Sequence, residues 1–284
     1  MKHDPLDTSR ISPTAFFTGH TWVRNGLGDP ALVHRRAAVM HAATRAAMNP
    51  IARCMGVPTL EDMLVARHRG IDARLDAAIR QHGVRQVVEL ASGLSARGLR
   101  MTRQYEGLRW IDADLPGMAR RKRERIAQVH GVIDDYEVAE VNVLHTEGAH
   151  SIERLAERLE PGVATAVITE GLTMYFPLHD TQGIWRRIRG LFGAVGGPGV
   201  YLSDLHLHAD LDGFRPAQWF VDAVERVARG GVHIHFDTVD EVTAALLAAG
   251  FDDVFAHVPR GPIALDDAGE RPLVRVLEAR VAQG

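Results

Sequence analysis

VVELASGLSARGLR, residues 87–100, begins as a hydrophobic, β-branched run and breaks into a loop of small residues. Such a run favours a strand, and the loop that follows a strand is where α/β proteins often hold a nucleotide. This loop lacks the first glycine of the G-x-G-x-x-G dinucleotide fingerprint, and it lacks the lysine of a triphosphate-binding loop. The stretch therefore predicts either an ordinary strand-to-helix turn or a ligand site that is not built around phosphate.

Strand-like runs alternate with helical segments on both sides of this stretch. Apolar runs predict strands at 84–90, 108–116, 136–143, 163–171 and 199–208, and a closing pair at 251–258 and 272–281. Helical patterns occur at 34–48, 60–83, 117–131, 150–160, 179–195, 214–229 and 238–250. The alternation predicts a doubly wound α/β fold whose mainly parallel sheet is covered on both faces. We expect residues 1–82 to form a helical cap and residues 83–284 to form one Rossmann-like domain.

The composition is that of a globular protein. The chain has 284 residues, of which 46% are hydrophobic and 24% charged, and its net charge is −3. This charge does not favour a nucleic-acid partner, and no segment approaches the ~18 consecutive apolar residues that cross a bilayer. A single cysteine, Cys54, fits a reducing cytoplasm, and we expect it to be a buried packing thiol. We therefore expect a cytoplasmic protein without a nucleic-acid or membrane partner.

Acidic residues at the ends of two predicted strands indicate the kind of nucleotide. Glu89 would repel a bound phosphate, whereas S-adenosylmethionine has no phosphate and carries cationic sulfonium and amino groups. A second acid, about 20 residues after the glycine loop, can accept both ribose hydroxyls. Asp112 and Asp114 lie at that distance from Gly93. These positions favour S-adenosylmethionine as the cofactor, and a nicotinamide oxidoreductase is the rival interpretation.

Five segments carry a resemblance to a known family. They are residues 13–32, Ala66-Arg67 with Asp72, ELASGLSARGLRM at 89–101, Asp114-Leu115-Pro116, and EGLTMYF at 170–176. As a set, they resemble the leucine carboxyl methyltransferase family, which includes polyketide-pathway O-methyltransferases. The likeness covers most of residues 12–180, and Ala91 and Ser95 stand where the family has a glycine and an aspartate. The resemblance implies a class I methyltransferase fold with an N-terminal helical lid.

The resemblance also implies roles for individual residues. Arg67 is expected to bind the carboxylate of S-adenosylmethionine, and Glu170 to face its amino or sulfonium end. Tyr175 is expected to line the substrate side. Three residues are implied to contact the methionine and ribose portion of the cofactor: Glu89, Ala91 and Gly93. Asp114, with Asp112 as second choice, is implied to hold the ribose hydroxyls. Asn142 and Val143 are implied to flank the adenine.

Simpler interpretations exist for several of these residues. Arg67 is otherwise an exposed helix arginine, and Asp112 a solvated acid at the end of a strand. Asn142 is otherwise a turn residue, and Tyr175 a half-buried core aromatic. Arg97, where the family keeps an arginine, either pairs with an acid near the pocket or covers the surface of its helix.

Histidines alternate with other residues near the fifth predicted strand. Asp204, His206 and His208 share one face of an extended chain, and His233 and His235 repeat the spacing. The H-x-H spacing lacks the pattern of helical zinc motifs, so we expect no metal. The histidines line the acceptor pocket or pack in the interior. His206 is the candidate general base if the acceptor is a hydroxyl.

These features predict an S-adenosylmethionine-dependent O-methyltransferase. The expected acceptor is a carboxylate of a small molecule or natural-product intermediate, because a carboxylate is already a nucleophile at neutral pH. A hydroxyl or phenol acceptor, with His206 as base, is the second possibility. The third is a cofactor-binding protein that has lost catalysis, in line with Ala91 and Ser95.

Overall fold

A seven-stranded sheet forms the centre of the molecule. Its strands are β1 (Gln86–Leu90), β2 (Arg109–Asp114), β3 (Tyr136–Glu140), β4 (Thr165–Thr169), β5 (Gly199–Leu205), β6 (Asp253–His257) and β7 (Arg275–Val281). They are arranged in the order β3-β2-β1-β4-β5-β7-β6. β1 to β5 are mutually parallel, and β7 is antiparallel to both β5 and β6. The predicted doubly wound, mainly parallel sheet is confirmed.

Helices cover the sheet. The computed structural model describes residues 13–33, 41–42, 45–46, 49–50, 52, 54, 58–129, 135–211, 232–264 and 271–282. Its α-helices are α1 (Pro13–Arg24), α2 (Leu60–Gln81), α3 (Arg97–Gln104), α4 (Pro116–Ile126), α5 (Leu178–Val195), α6 (His208–Leu211) and α7 (Val239–Ala248). Short 3-10 helices occur at Pro30–Leu32, Glu153–Arg158 and Thr173–Tyr175. In these ranges, no helix combines the length and apolar character needed to cross a membrane.

Side chains of β1 alternate between two hydrophobic layers. Val87 packs with Ile71 and Leu75 of α2, whereas Val88 packs with residues of α5 such as Ile184, and all five are fully buried. A strand that is covered on both faces needs apolar residues at successive positions. This requirement explains why residues 87–90 read as a nearly continuous apolar run.

Local capping sets the limits of α2, the longest helix of the described chain. The Thr59 hydroxyl accepts from the Asp62 amide at 3.1 Å, and the Asp62 carboxylate accepts from the Thr59 amide at 2.9 Å. This reciprocal capping box satisfies two amides that have no partner inside the helix. Gly83, with φ +67°, follows the last turn and lets the chain reverse toward β1. The predicted boundary between cap and domain at residue 83 remains a prediction, and α2 itself packs against the sheet.

Three segments differ from the expectations. The predicted helix at 150–160 is only a 3-10 helix, Glu153–Arg158, and the third strand ends at Glu140 because Asn142 begins a turn. Cys54 is exposed while Ala52 is buried, since residues two apart lie on opposite sides of a helical turn. The predicted helix at 214–229 lies outside the described residues, as does most of 34–48.

The topology gathers the predicted site residues at one edge of the sheet. From β1 the sheet continues through β2 to β3 on one side, and from β4 it continues to β5 on the other side. The strand order therefore reverses between β1 and β4. At such a switch point, the loops beyond the carboxyl ends of the strands diverge and leave a crevice. Gly93 and Glu170, in the loops after β1 and β4, and Asp114, at the end of β2, all lie at this edge.

Candidate active site

The loop after β1 has an unusual backbone conformation. Ala91 (φ +52°) and Gly93 (φ +51°) both lie in the left-handed region, and no other non-glycine residue of the described chain does so. The Ser92 amide donates to the Ala113 carbonyl at 3.3 Å and joins the loop to β2. A Cβ placed on Gly93 meets no atom within 4 Å. The loop therefore leaves open space beside its backbone at the end of β1.

Asp114 joins the end of β2 to this loop. Its half-buried carboxylate accepts from the Gly93 amide and from the Leu115 amide, both at 2.7 Å. Burial raises the pKa of Asp114, although these two amides and Lys122 oppose the rise. Each carboxylate oxygen has two lone pairs, so Asp114 retains acceptor capacity beside the open space at Gly93.

Asp112 has different surroundings, because it is fully enclosed. Its carboxylate accepts from the Trp110 indole at 2.9 Å, pairs with Lys122 at 2.6 Å and accepts from the Tyr136 hydroxyl. Asp112 and Lys122 both have 0% exposure. The solvated interpretation of Asp112 is therefore wrong. The geometry brings Asp114, and not Asp112, to the open loop.

Arg97 occupies the centre of a buried ion-pair network. Its guanidinium donates to Asp72 at 2.6 Å, to Glu89 at 2.5 Å and to Glu170 at 2.6 Å, and its side chain has 0% exposure. These three acids belong to α2, to β1 and to the loop after β4. Arg97 therefore pairs with acids near the site, as the first of its two interpretations expects, and it connects three separate elements.

Glu89 is buried at the end of β1 and has few donors. Besides Arg97, its carboxylate accepts from the Ser95 hydroxyl at 3.3 Å. Burial raises the pKa of Glu89 to about 7, although the Arg97 charge opposes the rise. Ser95, which replaces the aspartate of the family pattern, thus provides a neutral donor where a second carboxylate would repel Glu89.

Arg67 bridges the loop after β4 and the end of β5. Its Nε donates to Glu170 at 3.0 Å and its Nη1 to Asp204 at 3.2 Å, while Nη2 has no hydrogen-bond partner among the described residues. Arg67 is 5% exposed, so the interpretation as an exposed helix arginine is wrong. A Cβ on Gly171 (φ +63°) would lie 3.1 Å from Nη2, so the glycine leaves room beside the guanidinium.

Glu170 collects donors from three side chains. Arg67, Arg97 and His68 each donate to its carboxylate. Burial alone would raise the pKa of Glu170, but these donors hold it well below the usual range. Burial and the Arg97 charge lower the pKa of His68, so its ring is neutral. A neutral ring that donates from Nδ1 to Glu170 accepts at Nε2 from Arg100, at 3.0 Å.

Asn142 and Val143 each make a hydrogen bond within the described chain. The Asn142 side-chain oxygen accepts from the Leu144 amide at 3.0 Å, which closes a turn. The Val143 carbonyl accepts from Arg187 at 2.6 Å. The turn interpretation of Asn142 therefore describes its local geometry. The predicted contact with adenine remains a prediction.

His206 and Tyr175 lie on the side of β4 and β5. Tyr175 is half-buried and close enough to Arg67 to contribute to its raised pKa, against the effect of burial. His206 Nδ1 is 3.0 Å from the Leu273 carbonyl oxygen. His206 Nε2 is buried, 3.7 Å from Asp204, and has no hydrogen-bond partner in the described chain. His206 borders a cavity of about 30 Å³, together with Thr173, Met174, His233 and His235.

The histidines do not assemble a metal site. Their rings are arranged as a stacked pair, His233 and His235, with centroids 5.8 Å apart, beside the cavity at His206. His208 is exposed and 3.0 Å from the Ile234 carbonyl. No group of three or more potential ligands converges on one point among the residues that the structure describes.

Two site residues escaped the sequence analysis. His68 and Lys122 are both fully buried, yet each sits in a helix rich in exposed arginines and reads as another surface position. Lys122 pairs with Asp112 and donates to the Ser92 hydroxyl at 3.1 Å. Each has a sequence clue: His68 directly follows Arg67 in a family-like segment, and Lys122 lies in the basic helix that follows the family-like Asp114-Leu115-Pro116.

Known proteins share these segments. The family model described as leucine carboxyl methyltransferase matches residues 27–189. A Mycolicibacterium gilvum (strain PYR-GCK) protein named "Putative S-adenosyl-L-methionine-dependent methyltransferase" is 37% identical over 135 residues, which are 45% of this chain and 43% of the relative. A Mycobacteroides abscessus protein of the same name is 31% identical over 147 residues, 51% of this chain and 47% of the relative. The chain spans about half the length of these curated relatives.

Solved structures share the fold. Magnesium protoporphyrin IX methyltransferase (ChlM) from Synechocystis PCC 6803, solved with bound SAH, has a TM-score of 0.50 and 10% identity, over 80% of this chain and 89% of that chain. The mitomycin 7-O-methyltransferase MmcR has a TM-score of 0.50 and 18% identity, over 98% of this chain and 69% of that chain. These identities show the fold alone. The family model, in contrast, matches more than half of the sequence, and the chain therefore belongs to the leucine carboxyl methyltransferase family.

Proposed function

We propose that this protein is an S-adenosylmethionine-dependent O-methyltransferase that acts on a small molecule. Family membership and the names of the curated relatives support the activity and the cofactor. The fold shared with methyltransferases solved with bound SAH is consistent with both. The chemistry at the carboxyl edge of the sheet supplies the rest of the argument.

The residues at this edge fit the cofactor. Gly93 leaves open space, Asp114 keeps acceptor capacity for ribose hydroxyls, and Arg67 keeps the Nη2 donors for a carboxylate. Four carboxyl groups of the network face three guanidiniums, so the network carries no excess positive charge that would repel a cation (Asp72, Glu89, Glu170, Asp204; Arg67, Arg97, Arg100). When bound, S-adenosylmethionine supplies an electrophilic methyl group. Ala91, Asn142 and Val143 complete the assignment as further contacts.

The hydrogen bonding of His206 is the observation that favours one class of methyl acceptor over the other. A carbonyl oxygen only accepts, so His206 Nδ1, 3.0 Å from the Leu273 oxygen, must hold the ring proton. In the neutral ring, Nε2 then presents a lone pair, and it has no partner among the described residues. His206 is therefore arranged as a general base, and a hydroxyl or phenol is the acceptor that needs one.

A carboxylate acceptor is the second candidate, supported by the description of the family. It needs no base, because it is ionised at neutral pH. Tyr175 lies beside Arg67 and is assigned to the acceptor side in both cases. The two candidates differ in one respect, which is whether turnover depends on His206 Nε2.

The experiment is a comparison of wild type and His206→Asn. The asparagine amide keeps a donor for the Leu273 carbonyl and removes the Nε2 lone pair. With radiolabelled S-adenosylmethionine and panels of phenols, alcohols and carboxylic acids, we expect turnover of a hydroxyl compound. We expect His206→Asn to lower kcat by about 10²–10⁴-fold and to remove the acid limb of the pH–rate profile. Affinity for S-adenosylhomocysteine, measured by calorimetry, should not change.

Each other outcome has a defined meaning. Turnover of carboxylic acids alone, unaffected by His206→Asn, would support the second candidate and exclude the base. Binding of the cofactor without turnover of any acceptor would favour a protein that has lost catalysis. No binding of S-adenosylhomocysteine or S-adenosylmethionine would overturn the proposed function as a whole.

A further inference from the structure

A second, larger cavity lies outside the candidate active site. Its volume is about 380 Å³, and it lies between the start of α2, the end of α1 and the loop after β6. Four arginines line it: Arg24, Arg45, Arg69 and Arg260. The protein has a net charge of −3, so this concentration of positive charge is a local feature and not a reflection of the whole composition.

The acids of this cavity are already engaged. Glu61 is 3.3 Å from Arg24 and 2.6 Å from Arg45, and it accepts from Asn25 at 3.0 Å. Asp62 accepts from the Thr59 amide and hydroxyl in the capping box. Both acids are therefore committed to groups that hold the cap together.

Arg69 and Arg260 have no acidic partner among the residues that the structure describes. Neither makes an ion pair or a hydrogen bond with any other residue that the structure describes, and both are exposed at the cavity. Residues 30–60, which lead into α2, contain Arg35, Arg36, Arg45 and Arg53 and no aspartate or glutamate. Of these arginines, Arg45 lines the cavity and is paired with Glu61.

The cavity is separate from the ion-pair network around Arg67. Arg67 and Arg69 are two residues apart in α2 and lie on different sides of the helix, Arg67 buried and Arg69 exposed. Between the cavity and the network, Met63 and Leu64 of α2 pack with Ile263 and Leu273 in a hydrophobic cluster. A ligand in the cavity would therefore not contact the cofactor residues.

We propose that this cavity binds a multiply charged anion that carries phosphate or carboxylate groups and bridges Arg69 and Arg260. Guanidinium groups pair with either kind of group through two parallel hydrogen bonds. Arg69 belongs to α2 and Arg260 to the loop after β6, so the anion joins the cap side of the molecule to the antiparallel edge of the sheet. A ligand that binds only the folded chain also raises its stability.

Calorimetry at low ionic strength tests this site with two probes, inorganic pyrophosphate and citrate. We expect at least one to bind with one-to-one stoichiometry and to raise Tm. Arg69→Gln and Arg260→Gln should each weaken binding at least tenfold, and high salt should weaken it further. The matched control is Arg103→Gln, an exposed arginine of α3 without a partner in the described chain, which should leave affinity unchanged.

The two probes also identify the anionic group. Binding of pyrophosphate alone indicates a phosphate ligand, binding of citrate alone indicates a carboxylate ligand, and binding of both indicates a general polyanion site. The proposal is overturned if neither probe binds, if Arg103→Gln weakens binding as much as the other two, or if S-adenosylhomocysteine displaces the probe. The affinity of Arg69→Gln for S-adenosylhomocysteine is measured in parallel. This measurement distinguishes a failure of the anion-site proposal from a failure of the proposed methyl transfer.

Discussion

Ala91 shows how one residue can depart from a family pattern while the backbone does not. The family has a glycine here, and the chain still adopts φ +52°, a conformation that costs an L-residue about 1–2 kcal/mol. Such strain persists where surrounding structure over-determines the backbone, and it concentrates at functional sites. The Ser92 and Gly93 amides, held by Ala113 and Asp114, fix the loop on its other side.

Ala91→Gly should therefore stabilise the protein. Glycine removes the strain of the left-handed conformation, but it also raises the conformational entropy of the unfolded chain. The first effect is the larger, so we expect the free energy of unfolding to increase by about 0.5–1 kcal/mol. Urea unfolding measures it. Ala73→Gly, at an exposed position inside α2, is the control and should lose about 1 kcal/mol. Destabilisation by both substitutions would show that Ala91 is not strained.

Asp112 and Asp114 show that two acids on one strand can have opposite uses. The first lies inside, saturated by Trp110, Lys122 and Tyr136, and the second is half-buried beside the open loop. We expect Asp112→Asn to cost about 3–5 kcal/mol, because Lys122 stays buried without its partner.

Asp114→Asn should cost less, about 1–3 kcal/mol, since the amide oxygen still accepts from one backbone amide and only the other amide loses its acceptor. It should weaken S-adenosylhomocysteine binding at least tenfold in calorimetry. Chemical denaturation of both variants checks the stability difference. The assignment is wrong if Asp114→Asn binds like wild type while folded Asp112→Asn does not bind.

At the scale of elements, α2 is fixed to the sheet by charges as well as by apolar packing. Asp72 and His68 attach it to Arg97 and Glu170 at one point, and Arg74 attaches it to Glu278 of β7 at another, at 2.7 Å. Glu278 also pairs with His257 of β6 at 3.0 Å. Buried ion pairs contribute little net free energy, but loss of one partner is costly. They therefore select one position of the helix on the sheet.

Glu278→Gln should destabilise the protein by about 1.5–3 kcal/mol at pH 7. Burial opposes ionisation, but bonds from His257, Arg74 and Arg280 lower the pKa of Glu278 from 4.5 to about 2. The stabilisation is therefore present above pH 4.5 and is lost as pH falls toward 2, so the difference from wild type should shrink at pH 3.5. Denaturant unfolding at the two pH values measures it.

Glu160→Gln is the control for this substitution, because Glu160 is 68% exposed and only 3.9 Å from Arg109. Its effect should stay below about 0.5 kcal/mol at both pH values. A Glu278→Gln effect that is equally small, or that grows as pH falls, would show that the carboxylate does not hold α2 and β6 to β7.

For the whole molecule, buried neutral histidines dominate the response to mild acid. Burial lowers the pKa of His41, His68 and His235, with neighbouring positive charges adding to the effect. Below about pH 6.5 the unfolded chain binds protons that these rings exclude, so stability falls as pH falls. Glu89 acts in the opposite direction, because with a pKa of about 7 it takes up a proton in the folded chain first.

We expect the three histidines to outweigh Glu89 and Asp114, whose pKa values are raised, so Tm should be lower at pH 5.5 than at pH 7.5. Glu89→Gln, which is neutral at both values, should make the decrease steeper. Melting curves followed by circular dichroism test both statements. A Tm that rises on acidification of wild type, or a shallower decrease in Glu89→Gln, would contradict the assigned directions.

The sequence by itself determined the α/β class, the family, the approximate limits of the strands and the edge at which the site forms. The signals behind these features are local, because each involves residues a few positions apart in the chain. They are apolar periodicity, capping residues such as Thr59 and Gly83, and the family-like segments. They failed at Glu153–Arg158, where an amphipathic pattern formed only a 3-10 helix.

Only the tertiary structure decided which charges pair. Arg97 meets Glu170, 73 residues away, and Arg67 meets Asp204, 137 residues away. The His206 tautomer depends on a carbonyl 67 positions along the chain. Such contacts are set by the order of strands in the sheet, and burial then turns ordinary surface residue types into interior groups that pair with one another. Local sequence contains neither the strand order nor the burial, because both arise when distant segments pack together.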